Sequence, residues 1–98
     1  MNEREIIRAA IDHYGVESQV VVAIEELSEL QKELCKMLRG KQDTEHIAEE
    51  IADVQIMLAQ LIEMLTIKNT VKRYRFFKLL RLEARMTGKQ YGGGSNGA

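Results

Sequence analysis

A chain of 98 residues, 45% apolar and 30% charged, is the size of one domain and has the composition of a soluble globular protein. Its single cysteine excludes an internal disulfide, and no apolar run reaches the length that spans a bilayer, which makes the cytoplasm the expected location. A net charge of −1 hides a division: residues 1–66 carry six Lys and Arg against fourteen Asp and Glu, and residues 67–98 carry eight against one. Such asymmetry fits a basic segment for nucleic acid, or a basic helix that serves an acidic site handling an anion through a metal.

There is no proline, aromatic residues are few, and Leu, Ile, Glu, Lys and Gln abound, which favours long uninterrupted helices over strands. A first helix is expected from about Asn2 to His13, with Ile6, Ile7, Ala10 and Ile11 as its apolar stripe and Gly15 as its left-handed stop. A second is predicted from Glu17 or Ser18 to Arg39, its stripe formed by Val20, Ile24, Leu27, Leu34 and Leu38 and broadened by Ala23, Leu30 and Met37. Cys35 falls among these residues and reads as a buried structural thiol. Gly40 ends this helix, and Thr44 is the expected N-cap of a third, where Ile47, Ile51, Val54, Leu58, Leu61 and Leu65 are spaced 4, 3, 4, 3, 4.

A break at "TIKNT" precedes a fourth helix from Asn69 or Thr70 to Met86, with Phe76, Leu79, Leu82 and Met86 on one face and Tyr74, Lys78, Arg81 and Arg85 on another. These elements predict an all-α, up-and-down four-helix bundle over residues 1–87, followed by a flexible Gly-rich tail at 88–98. The second and third helices are expected to pair through their apolar stripes. A chain this short covers only about two thirds of its extended surface, so a homodimer or homotetramer is expected.

Acidic residues stand beside the apolar stripes. Glu25, Glu26 and Glu29 lie in "AIEELSEL", and Glu50 and Asp53 in "IAEEIADV". A spacing of three places Glu26 and Glu29 on nearly one side of a helix, and Glu50 and Asp53 likewise. An antiparallel pairing would bring the four carboxylates around one pocket, where their mutual repulsion calls for a cation. Oxygen ligands without His or Cys favour Mg²⁺, with Mn²⁺ as the other candidate, over zinc. Taken singly, each acidic motif reads as a solvated helix face; two on adjacent helices, followed by a basic helix, are harder to attribute to solubility.

The paired pattern Glu25-Glu26-Leu27-Ser28-Glu29 and Glu50-Ile51-Ala52-Asp53 resembles that of the MazG-like, all-α nucleoside triphosphate pyrophosphohydrolases, and "YGVESQ", "EEIADVQIML" and "FKLLRLEARM" look like stretches of their small, phage-type members. The resemblance covers roughly residues 13–86. It implies cleavage between the α and β phosphates of a nucleoside triphosphate to give a monophosphate and pyrophosphate. It further implies Glu26, Glu29, Glu50 and Asp53 as Mg²⁺ ligands, Glu25 as a supporting catalytic residue, and Lys78, Arg81 and Arg85 as phosphate contacts. Gln19 matches a recurrent family position and is expected at the nucleotide, with Tyr14 nearby.

His13 and His46 belong to no metal-ligand spacing and read as structural, and "YGGGSNGA" lacks the context of a phosphate loop. The competing reading is a non-catalytic helical module whose basic fourth helix, with Lys72, Arg73 and Arg75, binds nucleic acid or a protein partner. Under the enzyme reading neither nucleic acid nor membrane is an expected partner.

Overall fold

A computed structural model describes residues 1–88. The expected tail lies, from residue 89 on, outside the described residues. Four helices follow one another, α1 (Glu3–Tyr14), α2 (Val16–Leu38), α3 (Thr44–Leu65) and α4 (Lys68–Thr87), with no strand among the described residues. The protein is all-α. No helix among those residues is long and apolar enough to cross a membrane. The chain divides into two compact units, Met1–Thr66 and Ile67 onward.

Local chemistry explains the helix ends. Asn2 caps α1 through a reciprocal box, its side chain accepting from the Glu5 amide at 2.8 Å while the Glu5 carboxylate accepts from the Asn2 amide. Gly15 closes α1, its N–H donating to the Ile11 carbonyl at 2.8 Å, and opens α2 at once with φ 92°, a conformation that strains any residue bearing a Cβ. α2 therefore begins at Val16, ahead of the expected Glu17 or Ser18. Asp43, rather than Thr44, caps α3, accepting from the His46 amide at 3.1 Å. Thr66 ends α3 in the left-handed region at φ 53°.

In the first unit α2 and α3 form the main pair and α1 packs on both, with Ile7, Ala23, Val54 and Met57 as the buried apolar residues. Arg4 and Arg8 of α1 both reach the Glu63 carboxylate of α3. The expected pairing through the apolar stripes is not what is found. Gln19, Ala23 and Glu33 are the buried residues of α2, and Val54, Met57 and Gln60 those of α3. Of the two stripes only Ala23 and Val54 are buried, while Ile24 is 62% exposed and Leu27, Leu34, Leu38, Ile51, Leu58 and Leu65 are exposed too.

The geometry of the correction is simple. Val20, Ile24, Leu27 and Leu34 each follow a seam residue, Gln19, Ala23, Glu26 or Glu33, by one position, about 100° around the helix. α3 has the same offset, with Ile47, Ile51, Leu58 and Leu61 each one position beyond His46, Glu50, Met57 and Gln60. Because the two helices are antiparallel, equal rotations in the same sense turn both stripes toward the same side of the pair. Cys35, expected buried, is exposed. It stands two positions beyond Glu33, about 200° from the seam.

α4, taken by itself, carries Tyr74, Lys78, Arg81 and Arg85 along one strip. The Arg73 guanidinium lies over the Tyr74 ring at 5.5 Å, and Phe76 and Phe77 stack with centroids 5.4 Å apart.

Candidate metal centre

The α2–α3 seam determines which carboxylates meet. Gln19 pairs with Gln60, Glu26 with Asp53, and Glu33 with His46. Seven residues forward from Gln19 to Glu26 match seven backward from Gln60 to Asp53, and the next seven lead to Glu33 and His46. The register is therefore constant along about four turns.

At its middle Glu26, Glu50 and Asp53 each present a carboxylate oxygen, and the three lie within 4.8 Å of one another with all three residues half-buried. Glu50 Oε2 is buried and has no hydrogen-bond partner among the described residues. Partial burial, followed by the Asp53 charge, raises the Glu26 carboxyl above its ordinary value, and a hydrogen bond with Asp53 adds to the rise by favouring a shared proton. Burial and Asp53 likewise raise Glu50, with Glu29, Glu49 and Glu33 contributing.

Glu29 is exposed and stands outside the triad, yet its charge acts on both Glu26 and Glu50. It is the carboxylate outside the triad whose charge acts on two of its members. The donor set is all oxygen, one oxygen of Glu50 is buried and unpaired, and one oxygen from each residue lies within 4.8 Å of the other two. These residues fit a hard divalent cation. Zinc, with its preference for nitrogen and sulfur, fits them poorly.

The seam is polar on both sides of the pocket. Toward the N-terminal end of α2, the Gln19 amide nitrogen donates to Gln60 Oε1 at 2.7 Å, and both residues are buried. Toward its C-terminal end Glu33, 7% exposed, accepts from Lys36 Nζ at 3.1 Å and faces His46 Nδ1 at 3.7 Å, while Asp43 Oδ2 is 3.8 Å from the same nitrogen.

Of the residues singled out in the sequence, Glu26, Glu50 and Asp53 thus come together and Glu29 stands beside them. Glu25 is exposed, its carbonyl accepting from the Ser28 hydroxyl. Gln19 lies in the seam rather than at the surface, and Lys78, Arg81 and Arg85 belong to α4 in the second unit. Glu33, Lys36, His46 and Gln60 were not among the expected site residues. The signal that marks them is a polar heptad, one position behind the apolar one on each helix.

No family model matches the chain, and no curated protein and no solved structure matches it either.

Proposed function

We propose that the chain is a Mg²⁺-dependent nucleoside triphosphate pyrophosphohydrolase of the MazG-like type, cleaving between the α and β phosphates. The observation that carries this reading is the triad of Glu26, Glu50 and Asp53, with the buried, unpaired Glu50 oxygen among them. When bound, Mg²⁺, or Mn²⁺ in its place, supplies Lewis-acid polarisation of phosphoryl oxygens and acidifies water.

The chain's own residues have separable roles. Glu26, Glu50 and Asp53, with Glu29 at the rim, hold the cation and fix where the phosphates lie. One carboxylate of this group accepts the proton of the attacking water. Glu25 supports the helix face that carries the ligands. Lys78, Arg81 and Arg85 offer charge-assisted hydrogen bonds to the departing pyrophosphate. We further infer self-association into a homodimer or homotetramer, which the exposed apolar side of α2 and α3 supports.

Release of pyrophosphate from a panel of nucleoside triphosphates, with and without Mg²⁺, tests the activity. Absence of release from every triphosphate in either metal would reject it. Static light scattering tests the association, and a monomer at micromolar concentration would reject that part alone.

A second reading, a helical module binding nucleic acid through α4, draws on the density of Lys72, Arg73, Arg75, Lys78 and Arg81 on one helix. It expects salt-dependent binding of DNA or RNA and no pyrophosphate release.

A further inference from the structure

The carboxylate triad exists only in one register of α2 against α3, and the groups that form it work against that register. When ionised, Glu26, Glu50 and Asp53 repel one another, a repulsion that a proton shared between Glu26 and Asp53 relieves only in part. The apolar stripes, which in an ordinary helix pair would fix the alignment, face away from the seam. Ala23, Val54 and Met57 remain as apolar seam contacts, and smooth apolar surfaces of this kind discriminate poorly between neighbouring registers.

Two directional contacts are left: Glu33 facing His46 across 3.7 Å, with the imidazole exposed, and the fully covered Gln19–Gln60 pair at the N-terminal end of the α2 seam. Gln19 and Gln60 are 6% and 3% exposed, the Gln19 amide nitrogen donates to Gln60 Oε1 at 2.7 Å, and the Gln60 amide nitrogen reaches Met57 Sδ at 3.6 Å. A slip of one turn, about 5.4 Å, would separate these amides inside a covered seam where water cannot replace the lost partner. In one direction it would bring Glu26 opposite Met57 and scatter the triad.

We propose that the buried Gln19–Gln60 hydrogen bond is the register lock of the α2–α3 pair and so a positioning element for the carboxylate pocket two turns away. Gln19 then acts through the assembly of the pocket rather than on the nucleotide. The lock stands on the seam geometry alone; its positioning role rests on the proposed metal pocket.

The test uses the full chain with Cys35→Ser, and spin labels on Ser18→Cys and Glu45→Cys, exposed positions separated by about 24 Å along the helix axis so that a slip reads directly as a change in distance. The parent gives a single distance population between α2 and α3. Gln19→Leu with Gln60→Leu, which fills the space without the directional bond, keeps the helical circular dichroism but adds a population displaced by about 5 Å. In unlabelled chains the same pair weakens Mn²⁺ binding, read from the free-ion resonance, by roughly tenfold or more. If the double-leucine chain loses its helices, Gln19→Met with Gln60→Met, unbranched and close to glutamine in length, carries the test.

A single unshifted distance in a folded variant overturns the lock, whatever the Mn²⁺ affinity, and leaves the register to the Glu33–His46 contact and the short Arg39–Asp43 linker. A displaced population with parental Mn²⁺ affinity overturns the positioning role. A parent that binds no Mn²⁺ at all rejects the metal pocket, while the distances still decide the lock.

Discussion

Two lines of residues run side by side along α2. Gln19, Ala23, Glu26 and Glu33 face α3 and are mostly polar, while Val20, Ile24, Leu27 and Leu34, one position on, are apolar and mostly open. α3 repeats the arrangement. In an isolated helical pair the apolar line would face the partner. Here burial follows the partner helix and hydropathy does not, so each helix buries a mostly polar line against its seam partner and leaves a mostly apolar line open beside it.

Substitutions at adjacent positions separate the two lines. The largest effect on folding is expected at Met57, buried in the seam, where Met57→Ala should cost about 2–5 kcal/mol, enough to unfold a marginal domain. Leu58→Ala, on the open line, should change the stability of the dilute chain by no more than about 0.5 kcal/mol and alter instead the mass seen by light scattering. Denaturant titration of both variants at low concentration checks the pair. Equal costs at positions 57 and 58 would erase the distinction between seam and stripe.

Next comes the pocket. Glu50→Gln should lower Mg²⁺-dependent turnover and Mn²⁺ affinity by roughly a hundredfold, while Glu49→Gln, its neighbour on the exposed side, should leave both within a few-fold. Kinetics and isothermal calorimetry on the two variants make the comparison. Arg81→Ala should then cost roughly tenfold or more in turnover, since a charge-assisted bond to phosphate is worth on the order of 1.5–3 kcal/mol. Lys72→Ala, outside the strip of Tyr74, Lys78, Arg81 and Arg85, should cost little. Equal losses at 72 and 81, with nucleic-acid binding falling in parallel, would favour the binding-module reading.

The smallest effect is a pH dependence. Glu26 and Glu50 have raised proton affinities in the folded chain, so between their ordinary carboxylate value and the raised one the folded state holds more protons than the unfolded state. Their contribution to stability therefore falls as pH rises through that window. Metal-free protein should melt at a higher temperature near about pH 5 than near about pH 7, and Glu50→Gln should narrow the difference. Calorimetry in a chelator, at both pH values, reads the sign. Added Mg²⁺ should raise the melting temperature most at the higher pH, where the carboxylates are ionised.

The helices were legible in the sequence because glycines and capping side chains act locally. Gly15, Asn2 and Asp43 set their boundaries within a residue or two of the pattern, and a spacing of three put Glu26 with Glu29 and Glu50 with Asp53 before any packing was known. What the pattern misassigned was the facing surface. Periodicity reports that a helix is amphipathic, but not which of two adjacent lines meets the next helix, and Gln19, Glu33 and Gln60 are residue types that ordinarily stay exposed. Only the pairing of Gln with Gln, and of Glu33 with Lys36 and His46, makes their burial tolerable, and except for Lys36, which reaches Glu33 along α2, those partners lie on the other helix. The same reason left Cys35 misplaced.

The short connection between α2 and α3 has a kinetic consequence. Every carboxylate of the pocket lies on a helical hairpin closed by the five residues Arg39–Asp43, so the contacts that build it are close in sequence. Topologies of this kind fold quickly, in the microsecond to millisecond range, and the closing of such a loop takes only about 10–100 ns. A cation that needs the finished register cannot assist the nucleation that precedes it. Mg²⁺ should therefore leave the refolding limb of a chevron almost unchanged and act on the unfolding limb, lengthening the lifetime of the folded chain rather than hastening its arrival.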